Sequence, residues 1–319
     1  MAEIGKDINK AKQLLRQGEL VAIPTETVYG LAGNALDSEA VIKIFQVKNR
    51  PQFDPLIIHL PSFEKVNRYA ENIPDNARSL AEVFWPGPLT LLLNKKKIIN
   101  ELVTAGLPTV GIRCPDHPLT MELLQDLDFP LAAPSANPFG YVSPTTAQHV
   151  NDQLGGKIRY ILDGGPCRVG IESTIIGFEN GGATVYRSGG LRVGDIESIV
   201  GKVTLQTTSS SNPKTPGQLN SHYAPAKPIM VGTLDSLIEE FGSRPVGVLS
   251  FQKDFQMPFQ YILSSTGNLD EAARNIFSFL RAFDKLPIEI ILAEYVPDEG
   301  LGQAINDRLR RASFNSSRQ

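Results

Sequence analysis

Residues 206–227, with the sequence QTTSSSNPKTPGQLNSHYAPAK, constrain the fold most, because they interrupt a regular alternation of apolar patterns. Serine, threonine, proline and asparagine replace apolar residues in this segment, and neither a helical nor a strand period continues through it. Strand-like apolar runs alternate with amphipathic helical patterns on both sides, an order typical of α/β layers. We therefore predict two α/β domains, at residues 1–205 and 228–319, joined by a linker at 206–227.

Composition limits the classes of function that the chain can have. Its 319 residues, 41% of them hydrophobic, suffice to bury two cores without metals or crosslinks. A formal net charge of −3 offers no general attraction to a polyanion, so we expect no stable DNA binding and only local phosphate binding by clustered Lys and Arg. Two isolated cysteines and no run of ~18 apolar residues predict a reduced, cytoplasmic protein without a membrane anchor.

Polar side chains follow the predicted strands of the first domain at one face. A buried strand at residues 20–23 stops at Pro24, which cannot donate a ladder hydrogen bond. Within TVGIR, Thr109 and Arg113 share one face of a strand, because side chains at i, i+2 and i+4 point the same way. Thr109 and Arg113 are therefore candidates to bind one ligand, and the alternative is an ordinary strand edge with a solvated arginine.

The segment APSAN places three small residues on one face by the same period. These are Ala133, Ser135 and Asn137, while Pro134 keeps the segment at an edge or strand end. Small side chains beside exposed backbone suit a close-fitting ligand.

Cations cluster where a predicted helix ends. A helix beginning at Asp37 or Ser38 ends at Lys48, and Arg50 follows two residues later, while Arg187 ends a later strand of a predicted hairpin. Arginine presents a planar fork to phosphate oxygens and lysine a mobile point charge, so the set suits a triphosphate. The alternative is a helix C-terminus stabilised by cations, worth only ~0.3–1 kcal/mol.

Several common active-site motifs are absent from the sequence. The chain has no GxxxxGK[ST], no HExxH and no GxSxG, and the segment at residues 300–302 lacks the third glycine of a dinucleotide fingerprint. These absences disfavour P-loop nucleotide hydrolysis, zinc proteolysis and α/β-hydrolase chemistry.

Eight motifs in order resemble the YrdC-like family, and the linker and second domain resemble its long, two-domain form. The match spans nearly the whole chain. The motifs are PTETVYGL from Pro24, KNRPQFDPLIIH from Lys48, TVGIRCP from Thr109, PSAN from Pro134, EST from Glu172, VYRSG from Val185, PGQLNSHYAP from Pro216, and GLGQAINDRLRRA near the end.

The resemblance implies a fold and a reaction. The implied fold is a twisted mixed-sheet α/β domain with a concave site, plus a smaller Rossmann-like C-terminal α/β domain. The implied reaction makes L-threonylcarbamoyladenylate from L-threonine, bicarbonate and ATP with Mg²⁺, releasing pyrophosphate. A downstream threonylcarbamoyl transferase would then use the product to modify tRNA.

The resemblance also implies site residues. Those expected at L-threonine are Thr27, His59, Arg113, Ala133 and Ser173. Those expected at ATP are Lys48, Arg50, Asp54, Thr109, Ser135, Asn137, Ser143, Arg187 and, from the linker, Tyr223. Family members often carry Asn at the position of Asp54, so a backbone contact is expected there, because a carboxylate would repel phosphate. No protein side chain is expected to bind metal, and no nucleophile or general base is assigned.

Three further hypotheses remain open at this stage. The HYAP stretch at residues 222–225 would act as a lid that shields the labile adenylate from water. An RNA-binding module is the first alternative function, since a concave cationic face could hold an RNA backbone. Carbamoyl transfer within the same superfamily is the second, although it would call for an acylphosphatase-like or zinc-finger module that the sequence does not contain.

Overall fold

The computed structural model describes residues 1–179, 181–206, 215–216 and 223–314. Most of the predicted linker, including His222 of the proposed lid, therefore lies outside the described residues. Through residue 206 the strands are β1 (Glu3–Gly5), β2 (Val21–Ile23), β3 (Gly30–Asn34), β4 (Ile57–His59), β5 (Ala70–Glu71), β6 (Leu89–Lys95), β7 (Thr109–Arg113), β8 (Leu131–Ala132), β9 (Tyr160–Leu162), β10 (Thr174–Glu179), β11 (Gly182–Arg187) and β12 (Thr204–Leu205).

Seven α-helices and one 3₁₀-helix accompany these strands in the described part of the first 206 residues. They are α1 (Ile8–Arg16), α2 (Ser38–Lys48), a 3₁₀-helix (Phe63–Arg68), α3 (Asp75–Phe84), α4 (Glu101–Thr104), α5 (Pro118–Gln125), α6 (Ala147–Leu154) and α7 (Val193–Val200). From residue 223 onward the elements are β13 (Ile229–Val231), α8 (Leu234–Phe241), β14 (Val246–Ser250), β15 (Gln260–Ile262), α9 (Leu269–Phe283), β16 (Ile290–Ala293) and α10 (Gly302–Ser313).

The first sheet is large and mixed. Its strands run in the order β1-β9-β2-β3-β8-β4-β7-β6-β10-β11-β12, with β5 paired to β6. Strand β4 lies parallel to β7, and β10 lies parallel to β6, whereas β6 and β7 are antiparallel. The carboxyl ends of β4 and β7 therefore meet at one edge, next to the start of β10. This confirms the predicted mixed α/β class.

The second sheet is smaller and parallel. Its four strands run in the order β13-β16-β14-β15, and every pairing is parallel. Strands and helices alternate along the chain, so α8, α9 and α10 cover the faces of the sheet. None of the helices in the described part of the chain is long and apolar enough to cross a membrane.

Local sequence signals account for most elements but not for β1 and β3. Asp37 begins α2 by accepting a hydrogen bond from the Glu39 amide, as the predicted cap requires. Strand β1 has no apolar strand pattern of its own and is held by a parallel pairing with β9. Strand β3, with the sequence GLAGN, carries two glycines that disfavour strands, and its two neighbours in the sheet supply the pairing energy instead.

An apolar core joins the two sheets. Val28, Val142 and Ile171 from the first sheet's domain pack in one cluster with Phe277 and Ile291 of the second. Such a shared core fixes the second domain against the face where strands β4 and β7 end.

Candidate active site

A cavity lies where the strand ends of the large sheet face the second domain. We call it the central cavity. Its lining residues are Val28, Arg50, Ile57, His59, Arg113, Ala133, Pro134, Ser135, Glu172, Ser173, Arg187, Pro216 and Tyr223. The backbone segments that carry them are strand ends and loops, which leaves side chains free to face a ligand while the sheet fixes their positions.

The PTETVY loop builds one wall of the central cavity. The Thr25 hydroxyl accepts hydrogen bonds from the Thr27 and Val28 amides, each at 3.2 Å, and donates to the Val28 carbonyl at 2.6 Å. These bonds form a tight turn between β2 and β3 that buries the whole loop. The turn places Thr27 and Glu26 against Arg113, whose Nη2 lies 2.8 Å from Thr27 Oγ1 and 2.7 Å from Glu26 Oε2.

Arg113 and His59 lie side by side because they are register partners at the ends of parallel strands β7 and β4. Burial, followed by the neighbouring Arg113 charge, lowers the pKa of His59 from 6.5 to about 3. The imidazole is therefore neutral at physiological pH. The imidazole of His59 and the guanidinium of Arg113 both line the cavity, and Arg113 Nε has no hydrogen-bond partner among the described residues.

The end of α2 directs Arg50 into the central cavity. Asn49 adopts a left-handed conformation (φ 51°), and the Arg50 amide then bonds back to the Phe45 carbonyl. Arg50 is 7% exposed and donates to the backbone carbonyls of Asp54 and Pro55 at 3.1 and 2.8 Å.

Asp54 is neutralised by this arginine. Its carboxylate lies 2.9 Å from Arg50 Nη2, and both groups are buried. Burial raises the pKa of Asp54, whereas the charges of Arg50 and Lys48 oppose that rise. The Asp54 carboxylate pairs with Arg50, and the Asp54 backbone carbonyl orients the same guanidinium. The repulsion that an acidic side chain would exert on phosphate is therefore offset.

Lys48 does not line the central cavity. Its ammonium is buried and donates to the Ser135 and Asn137 carbonyls, both at 2.5 Å. Burial lowers the pKa of Lys48 well below its usual value. Asn137 in turn donates to the Pro138 and Tyr141 carbonyls. Lys48 and Asn137 thus hold the PSAN segment in shape, while Ser135 faces the cavity.

Ser173 and Arg187 form the opposite wall. Arg187 Nε donates to the Ser173 carbonyl at 3.0 Å and Nη2 lies 3.1 Å from the Ser173 hydroxyl, which also contacts Thr90 Oγ1 at 2.8 Å. Arg187 follows a register shift in the β10–β11 hairpin, and Nη1 reaches the Pro216 carbonyl of the linker at 3.4 Å. The guanidinium is therefore fixed in direction by backbone acceptors.

The linker supplies the remaining wall, and the second domain supports it. Tyr223 is 1% exposed, stacks on Phe277 of α9 with 5.7 Å between ring centroids, and adopts a left-handed backbone conformation (φ 62°). A non-glycine residue holds such a φ only where surrounding contacts fix it. The central cavity is thus lined by the first domain and the linker, and the second domain packs behind Tyr223.

The structure brings eight of the predicted site residues to the cavity surface and leaves six behind or beside it. Those at the surface are His59, Arg113, Ala133 and Ser173 for threonine, and Arg50, Ser135, Arg187 and Tyr223 for ATP. Thr27, Asp54 and Ser143 contact a lining residue from behind, and Lys48 and Asn137 support the PSAN segment. Thr109 lines an adjoining cavity of about 260 Å³, which shares Ile57 and Pro216 with the central one.

Sequence reasoning missed Glu172 and Arg308 as parts of this site. Glu172 Oε1 accepts a hydrogen bond from the Ser143 hydroxyl at 2.5 Å, and Oε2 lies 3.0 Å from Arg308 Nη2. A signal for Arg308 was present, because it follows Ala304 by four residues on the apolar face of α10. A charge on such a face indicates a buried partner.

The arrangement suits an anionic ligand. Three buried guanidinium groups, Arg50, Arg113 and Arg187, converge with a neutral imidazole and hydroxyls. Both cysteines, Cys114 and Cys167, are buried elsewhere, and burial raises the pKa of each thiol. This set of cations and hydroxyls suits the binding and orientation of a ligand.

Two family models match the chain in succession. One, described as telomere recombination and covering the Sua5, YciO and YrdC proteins, matches residues 13–189. The other, described as the C-terminal domain of threonylcarbamoyl-AMP synthase, matches residues 191–313.

Relatives match the chain over nearly its full length. The threonylcarbamoyl-AMP synthase of Pyrococcus abyssi is 41% identical, covering 96% of this chain and 94% of its own, and that of Bacillus subtilis is 39% identical, covering 96% and 92%. The crystal structure of P. abyssi Sua5 complexed with L-threonine superposes with a TM-score of 0.93 at 39% identity, covering 98% of this chain and 97% of that one. The chain belongs to the threonylcarbamoyl-AMP synthase family.

Proposed function

We propose that the central cavity joins L-threonine, bicarbonate and ATP into L-threonylcarbamoyladenylate and releases pyrophosphate. The observation that carries this proposal is the convergence of Arg50, Arg113 and Arg187, each at most 7% exposed, on one cavity. One guanidinium suits an amino-acid carboxylate and two suit a triphosphate. The P. abyssi relative crystallised with L-threonine supports the choice of amino acid.

The threonine end of the cavity lies at the tips of β4 and β7. Arg113 Nε, without a partner among the described residues, would pair with the carboxylate. The neutral imidazole of His59, which lines the cavity, would accept a hydrogen bond from the amine or hydroxyl. Glu26 and Thr27 hold Arg113 from behind and fix its direction.

The ATP end lies between Arg50 and Arg187. Both guanidinium groups are fixed by backbone carbonyls, so they would meet the phosphates without reorganising. Ser135 and Tyr223 line the same side of the cavity. Among the residues that the structure describes, no group of three or more His, Cys, Asp or Glu side chains could hold a metal ion. We propose that Mg²⁺ enters as the ATP complex, bound by phosphate oxygens.

The chemistry requires two bond-forming steps. The threonine amine and bicarbonate give a carbamate and water, and a carbamate oxygen then attacks the α-phosphorus of ATP. The bond from that phosphorus to the bridging oxygen breaks, and pyrophosphate leaves with its electron pair. Arg50 and Arg187 would neutralise charge on the phosphates as it develops. His59 is a weak base because its pKa is about 3, so the proton of the amine passes to bicarbonate or solvent.

The product would feed a reaction outside this chain. A mixed anhydride of a carbamate and AMP is an acylating agent, and we propose that a downstream threonylcarbamoyl transferase passes its acyl group to tRNA. We place this reaction in the cytoplasm. Two free, buried cysteines, Cys114 and Cys167, are compatible with such a reducing compartment.

The test is pyrophosphate release from ATP by the full chain, measured with and without L-threonine and bicarbonate. We expect release only when both are present, and an Arg113→Met variant should raise the threonine KM much more than the ATP KM. The matched control is Arg168→Met, since Arg168 pairs with Asp116 outside the cavity and should leave both constants unchanged. Release that ignores threonine would overturn the proposal.

The two alternative functions give different outcomes in the same series of measurements. RNA binding with a steep salt slope and no need for ATP or threonine would indicate an RNA-binding module. AMP formation that requires carbamoyl phosphate in place of threonine and bicarbonate would indicate carbamoyl transfer.

A further inference from the structure

Arg308, on the last helix of the second domain, reaches the wall of the central cavity. Its side chain is 0% exposed. Nε and Nη2 contact Glu172 Oε2 at 3.1 and 3.0 Å, and Nη1 donates to the Ser188 carbonyl at 2.6 Å. Helix α10 is therefore fastened to the segment that leads into Ser173 of the cavity.

Glu172 is a carboxylate in a cavity proposed to hold a triphosphate. It lines the central cavity and accepts a hydrogen bond from the Ser143 hydroxyl at 2.5 Å. An unpaired carboxylate at this place would repel phosphate oxygens across a medium of low dielectric constant. Arg308 supplies the compensating charge through two of its guanidinium nitrogens.

The same guanidinium supports Tyr223. Its central carbon lies 5.1 Å from the centroid of the Tyr223 ring, which also stacks on Phe277. Burial lowers the pKa of Arg308, but the neighbouring Tyr223, Glu172 and Asp307 more than offset burial, so the group stays charged. One buried charge thus contacts both Glu172 and the linker tyrosine.

We infer that Arg308 is a positioning residue through which the second domain completes the ATP site, by neutralising Glu172 and holding Tyr223. The inference rests on the proposed function, because it takes ATP as the ligand beside Glu172. The C-terminal domain thereby gains a specific role, since helix α10 must be docked for ATP to bind tightly. The threonine end, formed by Arg113 and His59, depends much less on that contact.

The test compares Arg308→Met, Glu172→Gln and the double variant in the full chain. Arg308→Met leaves a buried carboxylate unpaired, so we expect ATP affinity to fall by about tenfold or more. The threonine KM should change by less than about threefold, because Arg308 touches no group at that end. ATP affinity is measured by equilibrium titration with a non-hydrolysable ATP analogue, and KM values come from pyrophosphate release.

The double variant separates positioning from general destabilisation. Neutralising Glu172 removes the unpaired charge, so the double variant should bind the ATP analogue several-fold more tightly than Arg308→Met. If Arg308→Met does not fold, Glu172→Gln and the double variant are compared, and the double variant should bind the analogue more weakly, because Tyr223 has lost its support. Equal affinities of these two variants would show that Arg308 does not hold Tyr223. A double variant as weak as Arg308→Met, or an unchanged affinity in Arg308→Met, would overturn the inference.

A matched control lies on the same helix. Asn306 is buried and bonds the Val296 backbone within the second domain, without contacting Glu172. Asn306→Ala should lower the thermal midpoint and leave ATP affinity unchanged. If the wild type binds the analogue but releases no pyrophosphate, the proposed function fails, while the affinities still decide the role of Arg308.

Discussion

Individual buried charges carry most of the functional information in this chain. Lys48, Arg50, Arg113, Arg187 and Arg308 are each at most 7% exposed, and each contacts a carboxylate or several backbone carbonyls. Burying a charge without such partners costs several kcal/mol, so these positions are costly to maintain for stability alone. Their contacts distinguish two roles. Lys48 bonds the backbone of the PSAN segment, whereas Arg50, Arg113 and Arg187 line the cavity and Arg308 pairs with the lining residue Glu172.

The buried imidazole of His59 predicts a pH dependence of stability. Its folded-state pKa of about 3 lies below the usual 6.5, so between these values the unfolded chain binds a proton that the folded chain does not. The neutral imidazole of His59 therefore leaves the free energy of unfolding unchanged above pH 6.5. Below that pH the free energy of unfolding falls by up to ~1.4 kcal/mol for each pH unit. Between pH 7 and pH 5, the free energy of unfolding measured with urea should fall by about 2 kcal/mol less in His59→Gln than in the wild type. If the free energy of unfolding of the two proteins changed equally with pH, the lowered pKa of His59 would be contradicted.

At the level of elements, the loop that contains Gly170 lies directly against helix α9, and this contact positions the cavity wall. Gly170 has φ +85°, and a Cβ added there would lie 2.4 Å from Arg274 Cα and 2.6 Å from the Ala273 carbonyl oxygen of α9. No side chain fits between the loop and α9. Glycine at this position lets the loop that leads into Glu172 rest directly on the second domain.

Alanine substitution at two glycines of this loop distinguishes the effect of contact with α9 on stability from the effect of backbone strain. Gly170→Ala should destabilise the chain by ~2–4 kcal/mol, because both a strained φ and overpacking against α9 add to the cost. Gly165→Ala, at φ +78° with no atom within 4 Å of the added Cβ, should cost only ~1 kcal/mol. Thermal or urea unfolding of the two variants measures the difference. Equal losses would show that α9 does not press on the loop.

At the scale of the whole molecule, the two sheets share one apolar cluster. The cluster that contains Val28, Val142 and Ile171 continues through Tyr223 into the core of the parallel sheet. Removing the second domain would expose these apolar side chains to water at a cost of ~1.5–3 kcal/mol for each large one. The ion pair between Glu172 and Arg308 crosses the same boundary.

A single unfolding transition follows from this shared core. Trp85, the one tryptophan, belongs to the large-sheet domain, so its fluorescence reports on that part, while far-ultraviolet circular dichroism reports on all helices. We expect the two signals to change at the same denaturant concentration, because the apolar cluster shared by Val28, Val142 and Ile171 with the second domain couples the two parts. Two separated midpoints, with the dichroism change first, would show that the second domain unfolds independently.

The sequence by itself determined the alternation of strands and helices, the capping of α2 and the faces on which Arg113 and Ser135 lie, because each depends on residues close together in the chain. Ordered motifs identified the family. Only the tertiary structure decided which polar residues meet. Lys48 turned away from the cavity because its ammonium found two carbonyls of the PSAN segment, and β3 formed from a glycine-rich run because β2 and β8 pair with it. Glu172 and Arg308 are 136 residues apart, and no local pattern specifies a contact at that separation.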